Sequence, residues 1–174
     1  MGSCSIKDEA VLSSLALKAE DDSQVNKLKF CMDRFLEHRN SLKIALERYS
    51  LVNRQLAGKD IGNTSIKKFN DRYPNSLAFY KDSYKTVIAA RSFLMYTYPL
   101  EYKIRNQKEM MLFIESQNLF QVSLDNLTGY IEENHLESFL DDNSVLISPV
   151  DSFEKKKYEM EQLRNGLIKH CNNF

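Results

Sequence analysis

The sequence has no tryptophan, and its 174 residues include only five glycines, three prolines and three cysteines. Glycine and proline together make up about 5% of the chain against roughly 12% in average proteins, too few for the tight turns of hairpins and sandwiches. That all but excludes an all-β fold. Cys4, Cys31 and Cys171 are odd in number, widely spaced and in no C-x-x-C pair, so they assemble neither a disulfide framework nor a zinc ribbon. Such usage reads as reduced and intracellular, cytoplasmic or nuclear. Charge of one sign is also lacking: 24 Lys and Arg balance 24 Asp and Glu. Without a basic field or an apolar run of about 18 residues, neither nucleic acid nor membrane is an expected partner.

Other absences remove further chemistry. There is no glycine-rich phosphate loop and no G-x-S-x-G elbow. Met1-Gly2-Ser3 carries Ile6 where myristoylation needs Ser or Thr, and reads as a cloning remnant ahead of an excised domain. Cys171-Asn172-Asn173-Phe174 has Asn where a prenylation tail needs aliphatic residues. The sequons at Asn63 and Asn126 have no secretory signal to expose them to glycosylation.

What is present is helical periodicity. Residues 1–22 read as the remnant plus a linker or short helix, closed by an Asp21-Asp22-Ser23 break, and 23–174 read as one helical domain. From Ser23 as N-cap, Leu28, Met32, Phe35, Leu42, Leu46, Tyr49 and Leu56 step by fours and threes to a stop at Gly58. After a connection at 59–75, with a short turn around Ile66 to Phe69, Ser76 starts a second helix. Its face is Leu77, Tyr80, Tyr84, Val87, Ile88, Arg91, Met95 and Tyr98, and Pro99 kinks it before it ends near Arg105. A third runs from Lys108 through Leu112, Phe113, Leu119, Phe120, Leu124, Leu127 and Ile131 to about Leu140, with Gly129 making room for a neighbour. Asp141–Ser144 is loop and Val145–Pro149 a connector. Asp151 opens a capping box for a fourth helix, whose face is Phe153, Met160, Leu163, Leu167 and Cys171. The expected architecture is an all-α, elongated antiparallel bundle of about four long helices.

Catalytic constellations are scarce. A di-iron bundle needs two Glu-x-x-His pairs, and only Glu132 with His135 is present, so no metal site is expected here. A thiol hydrolase would pair Cys31 with His38, or Cys171 with His170, but Cys31 sits beside the apolar stripe, and adjacent residues on a helix diverge. The tyrosines of the second helix suit bundle seams or a partner-binding face better than base stacking. The residues alone describe a helical module that binds something.

Three blocks narrow this: Arg34-Phe35-Leu36-Glu37-His38-Arg39-Asn40-Ser41-Leu42, Arg91-Ser92-Phe93-Leu94-Met95-Tyr96-Thr97-Tyr98-Pro99 and Leu163-Arg164-Asn165-Gly166-Leu167-Ile168-Lys169-His170. Together with Phe113, Gln117 and Thr128-Gly129-Tyr130, they resemble the Ariadne domain over roughly Leu28 to Asn172. That is the C-terminal helical module of Ariadne-family RING-between-RING ubiquitin ligases. The resemblance implies a longer parent enzyme whose zinc-binding modules lie ahead of this domain and engage a ubiquitin-conjugating enzyme. The last of those modules would carry the cysteine that accepts ubiquitin. This domain, with no catalytic residue and no cofactor of its own, would cover that cysteine until a partner such as a modified cullin-RING ligase releases it.

By the same resemblance, the acidic inhibitory contact on the third helix falls on Asp125, an aromatic-acidic pair on the first on Ile44 and Ala45, and a further acid on Ile114. Glu47 and Glu115 are nearby acids able to substitute. His38, Arg91, Tyr96, Tyr98 and Pro99 belong to the structural motif, with His38 and Arg91 expected as buried hydrogen-bonding residues. The competing reading is a helical scaffold that docks on a large assembly without controlling catalysis.

Overall fold

The computed structural model describes residues 5–57, 64–72, 77–139 and 147–171. They form α1 (Ser5–Leu56), α2 (Thr64–Arg72), α3 (Ala78–Lys103), α4 (Gln107–Glu133), a 3-10 turn (Leu136–Phe139) and α5 (Ile147–Cys171), with no strand among the described residues. The fold is an all-α bundle of four long helices and one short one. Lys27 reaches the Ile104 carbonyl at the end of α3, and His38 meets Tyr98, so α1 and α3 run antiparallel. Thr97 with Gln117 and Tyr80 with Ile131 set α4 antiparallel to α3, while Tyr130 against Phe153 turns α5 back along α4.

Each helix boundary has a local cause. α4 begins where the Asn106 side chain accepts hydrogen bonds from the Lys108 and Glu109 backbone N–H groups, a cap that the apolar pattern does not reveal. The expected break at Asp21-Asp22-Ser23 is absent, because α1 runs straight through it. Asp and Ser cost a helix only about 0.5 kcal/mol each, too little to interrupt it. α5 starts at Ile147 rather than at an Asp151 cap: Pro149 sits in the first turn, where its missing N–H has no helical partner to lose. α3 passes through Pro99 and ends at Lys103, short of Arg105, and α4 stops at Glu133, well before Leu140. The Gly58 stop, the Ser76 start and the loop at 141–144 lie outside the described residues.

The core differs most from the sequence pattern on α1. The residues that α3 buries are Cys31, His38, Ala45 and Val52, a strict seven-residue repeat, while Leu28, Met32 and Leu46 stay exposed. α3 presents Tyr84, Leu94, Met95 and Tyr98 to this seam, and these bulky side chains need small residues opposite them. α1 therefore turns its Cys and Ala inward and leaves its larger apolar stripe outside. On α4 the buried row is Phe113, Gln117, Phe120, Leu124, Leu127 and Ile131, with Leu112 and Leu119 exposed. α2 is a full helix that buries Ile66 and Phe69. A Cβ added at Gly129 would meet nothing within 4 Å, so no neighbouring helix needs the space.

Candidate functional site: a polar seam and recess between α1, α3 and α4

Along the seam, side chains that the apolar periodicity passes over are buried and linked. The Tyr98 hydroxyl donates to Gln121 Oε1 at 3.1 Å, and His38 Nε2 lies 3.2 Å from the same hydroxyl. Since the tyrosine proton goes to Gln121, Nε2 donates to the hydroxyl oxygen, and Nδ1 is buried with no hydrogen-bond partner among the described residues. The rings stack with centroids 5.3 Å apart. Burial, then the Arg91 charge, push the His38 pKa down, and burial pushes Tyr98 up to about 12. One turn along α4, Gln117 Nε2 donates to Thr97 Oγ1 at 2.7 Å, and that hydroxyl donates to the Leu94 carbonyl.

Arg91 is almost buried. Its Nη2 donates to Asp125 Oδ1 at 2.7 Å and to Thr128 Oγ1 at 3.4 Å, while Asp125 keeps half its surface in solvent. Arg48 of α1 pairs with Glu132 of α4, closing the gap between those two helices. Between the two ion pairs lies a recess of about 180 Å³, with Ile44, Ala45, Tyr84, Val87 and Ile131 as apolar walls and Ser41 and Thr128 as polar ones.

The structure thus brings Ile44, Ala45 and Arg91 to one recess, with Asp125 held at its edge through Arg91. Ile44 is half exposed and Ala45 buried. Ile114 and Glu115 belong elsewhere, to an open hollow of about 810 Å³ on α4 beside Met111, Leu112 and Leu119. Eleven residues separate Ile114 from Asp125, which puts both on one face of α4 about 16 Å apart. Glu47, Tyr96 and Pro99 are exposed on the bundle surface.

Sequence reasoning missed a second charged group. Glu101, on the same face of α3 as Tyr98, is buried, and its Oε2 has no partner among the described residues. Burial raises its pKa, with Lys27 acting the other way. Burial and then Glu101 raise the Cys31 thiol, the reverse of what a nucleophile needs, and His38 is engaged by Tyr98 rather than by Cys31. Glu132 is spent on Arg48, and among the described residues no group of three or more His, Cys, Asp or Glu gathers to hold a metal. None of the helices searched is long and apolar enough to cross a membrane.

The arrangement offers shape and fixed charge rather than reactive groups: a small apolar recess rimmed by ion pairs, suited to contact with another protein surface. No family model matches the chain, and no curated protein matches it.

Proposed function

We propose that this chain is a regulatory, protein-interaction domain of the Ariadne type in a RING-between-RING ubiquitin ligase. It would mask a catalytic cysteine module outside these residues until a partner such as a modified cullin-RING ligase releases it. The observation that supports the reading is proximity: Ile44 and Ala45, assigned to the inhibitory contact by resemblance, line one recess with Arg91, and Arg91 holds Asp125, the third such residue, from a distant segment. Covering a thiol denies access, and a carboxylate beside it disfavours the thiolate. Asp125 offers that carboxylate with Oδ1 already anchored by Arg91, so its position is fixed before any contact forms. Release then requires only a partner that binds the open state more tightly. Zinc and the ubiquitin-conjugating enzyme would belong to the parent's cysteine-rich modules.

The test is ubiquitin discharge from the parent enzyme with and without residues 24–174. Faster discharge on deletion is expected, and equal rates overturn the masking role. Asp125→Asn keeps a hydrogen-bond acceptor for Arg91 while removing the charge, so it separates masking from stability more cleanly than Asp125→Ala. It should speed discharge without shifting the unfolding midpoint much.

The scaffold reading has its own support in the uncharged side chains of Ile44, Ala45 and Ile114 and in the pairing of Asp125 with Arg91. It predicts that the isolated domain retains a large assembly after the catalytic region is deleted, with discharge unchanged.

A further inference from the structure

One apolar stripe of α1 is not used by the bundle. On a helix turning about 100° per residue, Val25, Leu28, Met32, Phe35 and Leu36 fall within an arc of roughly 100°. That arc is centred about 120° around α1 from the face carrying Cys31, His38, Ala45 and Val52. Val25 is 63% exposed, Leu28 46% and Met32 49%. Phe35 is half buried only because its ring stands edge-on to Tyr96, itself exposed. The spacing of 25, 28, 32 and 35 alternates three and four residues, which is the seam of a coiled coil rather than the wider face of a helix in a globular core.

Charge selects the occupant. Asp22 and Lys43, both exposed, flank the stripe on the same side near its two ends. A second copy of α1 laid antiparallel would set Asp22 of each copy beside Lys43 of the other. The same register pairs Val25 with Leu42, Leu28 with the aliphatic stem of Arg39 and Met32 with Phe35, each across a two-fold axis near residue 33. A parallel pair would instead turn Lys43 toward the position of His38 in the second copy, which is already buried against α3, and would leave the Asp22–Lys43 pairing unmade. We infer that this chain forms an antiparallel homodimer through the Val25–Leu36 stripe of α1, closed at both ends by Asp22 with Lys43 of the second copy. Apart from Phe35, whose ring meets Tyr96 of α3, the seam lies away from the α3 interface and from the Arg91 recess, so the dimer leaves the proposed docking site open and does not depend on that reading.

Sedimentation equilibrium of the whole chain from about 1 to about 200 µM tests this, since a self-association follows mass action. The wild type should shift from monomer to dimer across the range. Leu28→Glu with Met32→Glu should stay monomeric with an unchanged helical circular dichroism signal, because both side chains are exposed. Asp22→Lys should weaken the dimer about 5-fold, from two symmetry-related pairs of flanking charges. Adding Lys43→Glu to it should restore the original affinity. A wild type that is monomeric throughout, or a dimer that survives the two glutamates, overturns the inference. A dimer lost with the glutamates but unmoved by either charge change overturns the antiparallel pairing.

Discussion

The two ends of α3 are packed on different principles. Near its start, Phe79 and Tyr80 join Tyr130, Phe139 and Phe153 in a cluster of edge-to-face and tilted rings, with Tyr130 and Phe153 centroids 4.8 Å apart and Phe79 and Phe139 5.4 Å apart. From its middle to its end, α3 instead meets α1 and α4 through His38, Arg91, Thr97, Tyr98, Gln117 and Asp125. Ring contacts are favourable over a range of angles and separations, so at the aromatic end register rests on the Tyr80 hydroxyl, which donates to the Ile131 carbonyl, rather than on the rings. A hydrogen bond that must close to about 3 Å has no such tolerance. The polar end therefore determines where α1 stands along α3 and, together with the Tyr80 bond, where α4 stands, and with that the shape of the recess between them.

The largest effect should come from the aromatic end. Phe153 is fully buried and touches rings from α3, α4 and the 3-10 turn, so Phe153→Ala should cost about 4 kcal/mol, read as a fall in the urea midpoint at unchanged slope. Asp125→Ala should cost less, about 1 to 2 kcal/mol, because it strands a nearly buried guanidinium whose partner is itself half in solvent. A cost for Asp125→Ala as large as that for Phe153→Ala would break the comparison by making the polar end a source of stability rather than of register.

The polar end should respond to pH. His38 has its pKa lowered by burial and Arg91, so its contribution is complete above the unfolded value of 6.5 and is lost as pH falls through the folded one. Tyr98 has the opposite limit: raised to about 12, it favours the fold fully below the unfolded value of 10.0 and loses that contribution as pH rises through 12. Glu101 carries a raised pKa too, so the fold prefers it protonated, and that preference is lost as pH rises through its folded value. Glu101→Gln should then stabilise the chain at neutral pH, with the gain over wild type vanishing in acid. Urea midpoints of the two proteins across pH check this, and absorbance titration should find a tyrosine that ionises at about 12 in the wild type and is missing from Tyr98→Phe. An acid limb that persists unchanged in His38→Gln would move the pH response out of the seam.

Much of this architecture was legible in the residues. The row on α3 was readable because its apolar residues keep largely to one face, and Phe153, Met160 and Leu167 did the same for α5, whereas on α4 the expected Leu112 and Leu119 lie outside the buried row. α1 misled because it carries two apolar faces: the larger side chains of Leu28, Met32 and Leu46 dominate any pattern, yet packing against the tyrosines of α3 selects the smaller Cys31 and Ala45. No local signal encodes that choice, since it depends on the volume of residues more than 40 positions away. The recess was half legible. Arg91 stood out as a charged residue in an apolar row and His38 came in with the resemblance, whereas the Arg48–Glu132 pair and the buried carboxyl of Glu101 arise only once three helices are assembled.

Gly129 gives the finest test of the boundary between the two regions, since it lies on α4 between Thr128, which bonds Arg91, and Tyr130, which packs on Phe153. A tight helix crossing at that point would make glycine necessary, yet an added Cβ meets nothing within 4 Å there, and the same holds for Gly166 on α5. Each glycine then costs backbone entropy without relieving any contact. Gly129→Ala and Gly166→Ala should each stabilise the chain by about 1 kcal/mol, seen as a higher urea midpoint, and the two gains should add because the sites share no partner. A loss at Gly129 with a gain at Gly166 would mean that α4 shifts toward a neighbour in solution, and the polar seam would then be looser than its hydrogen bonds require.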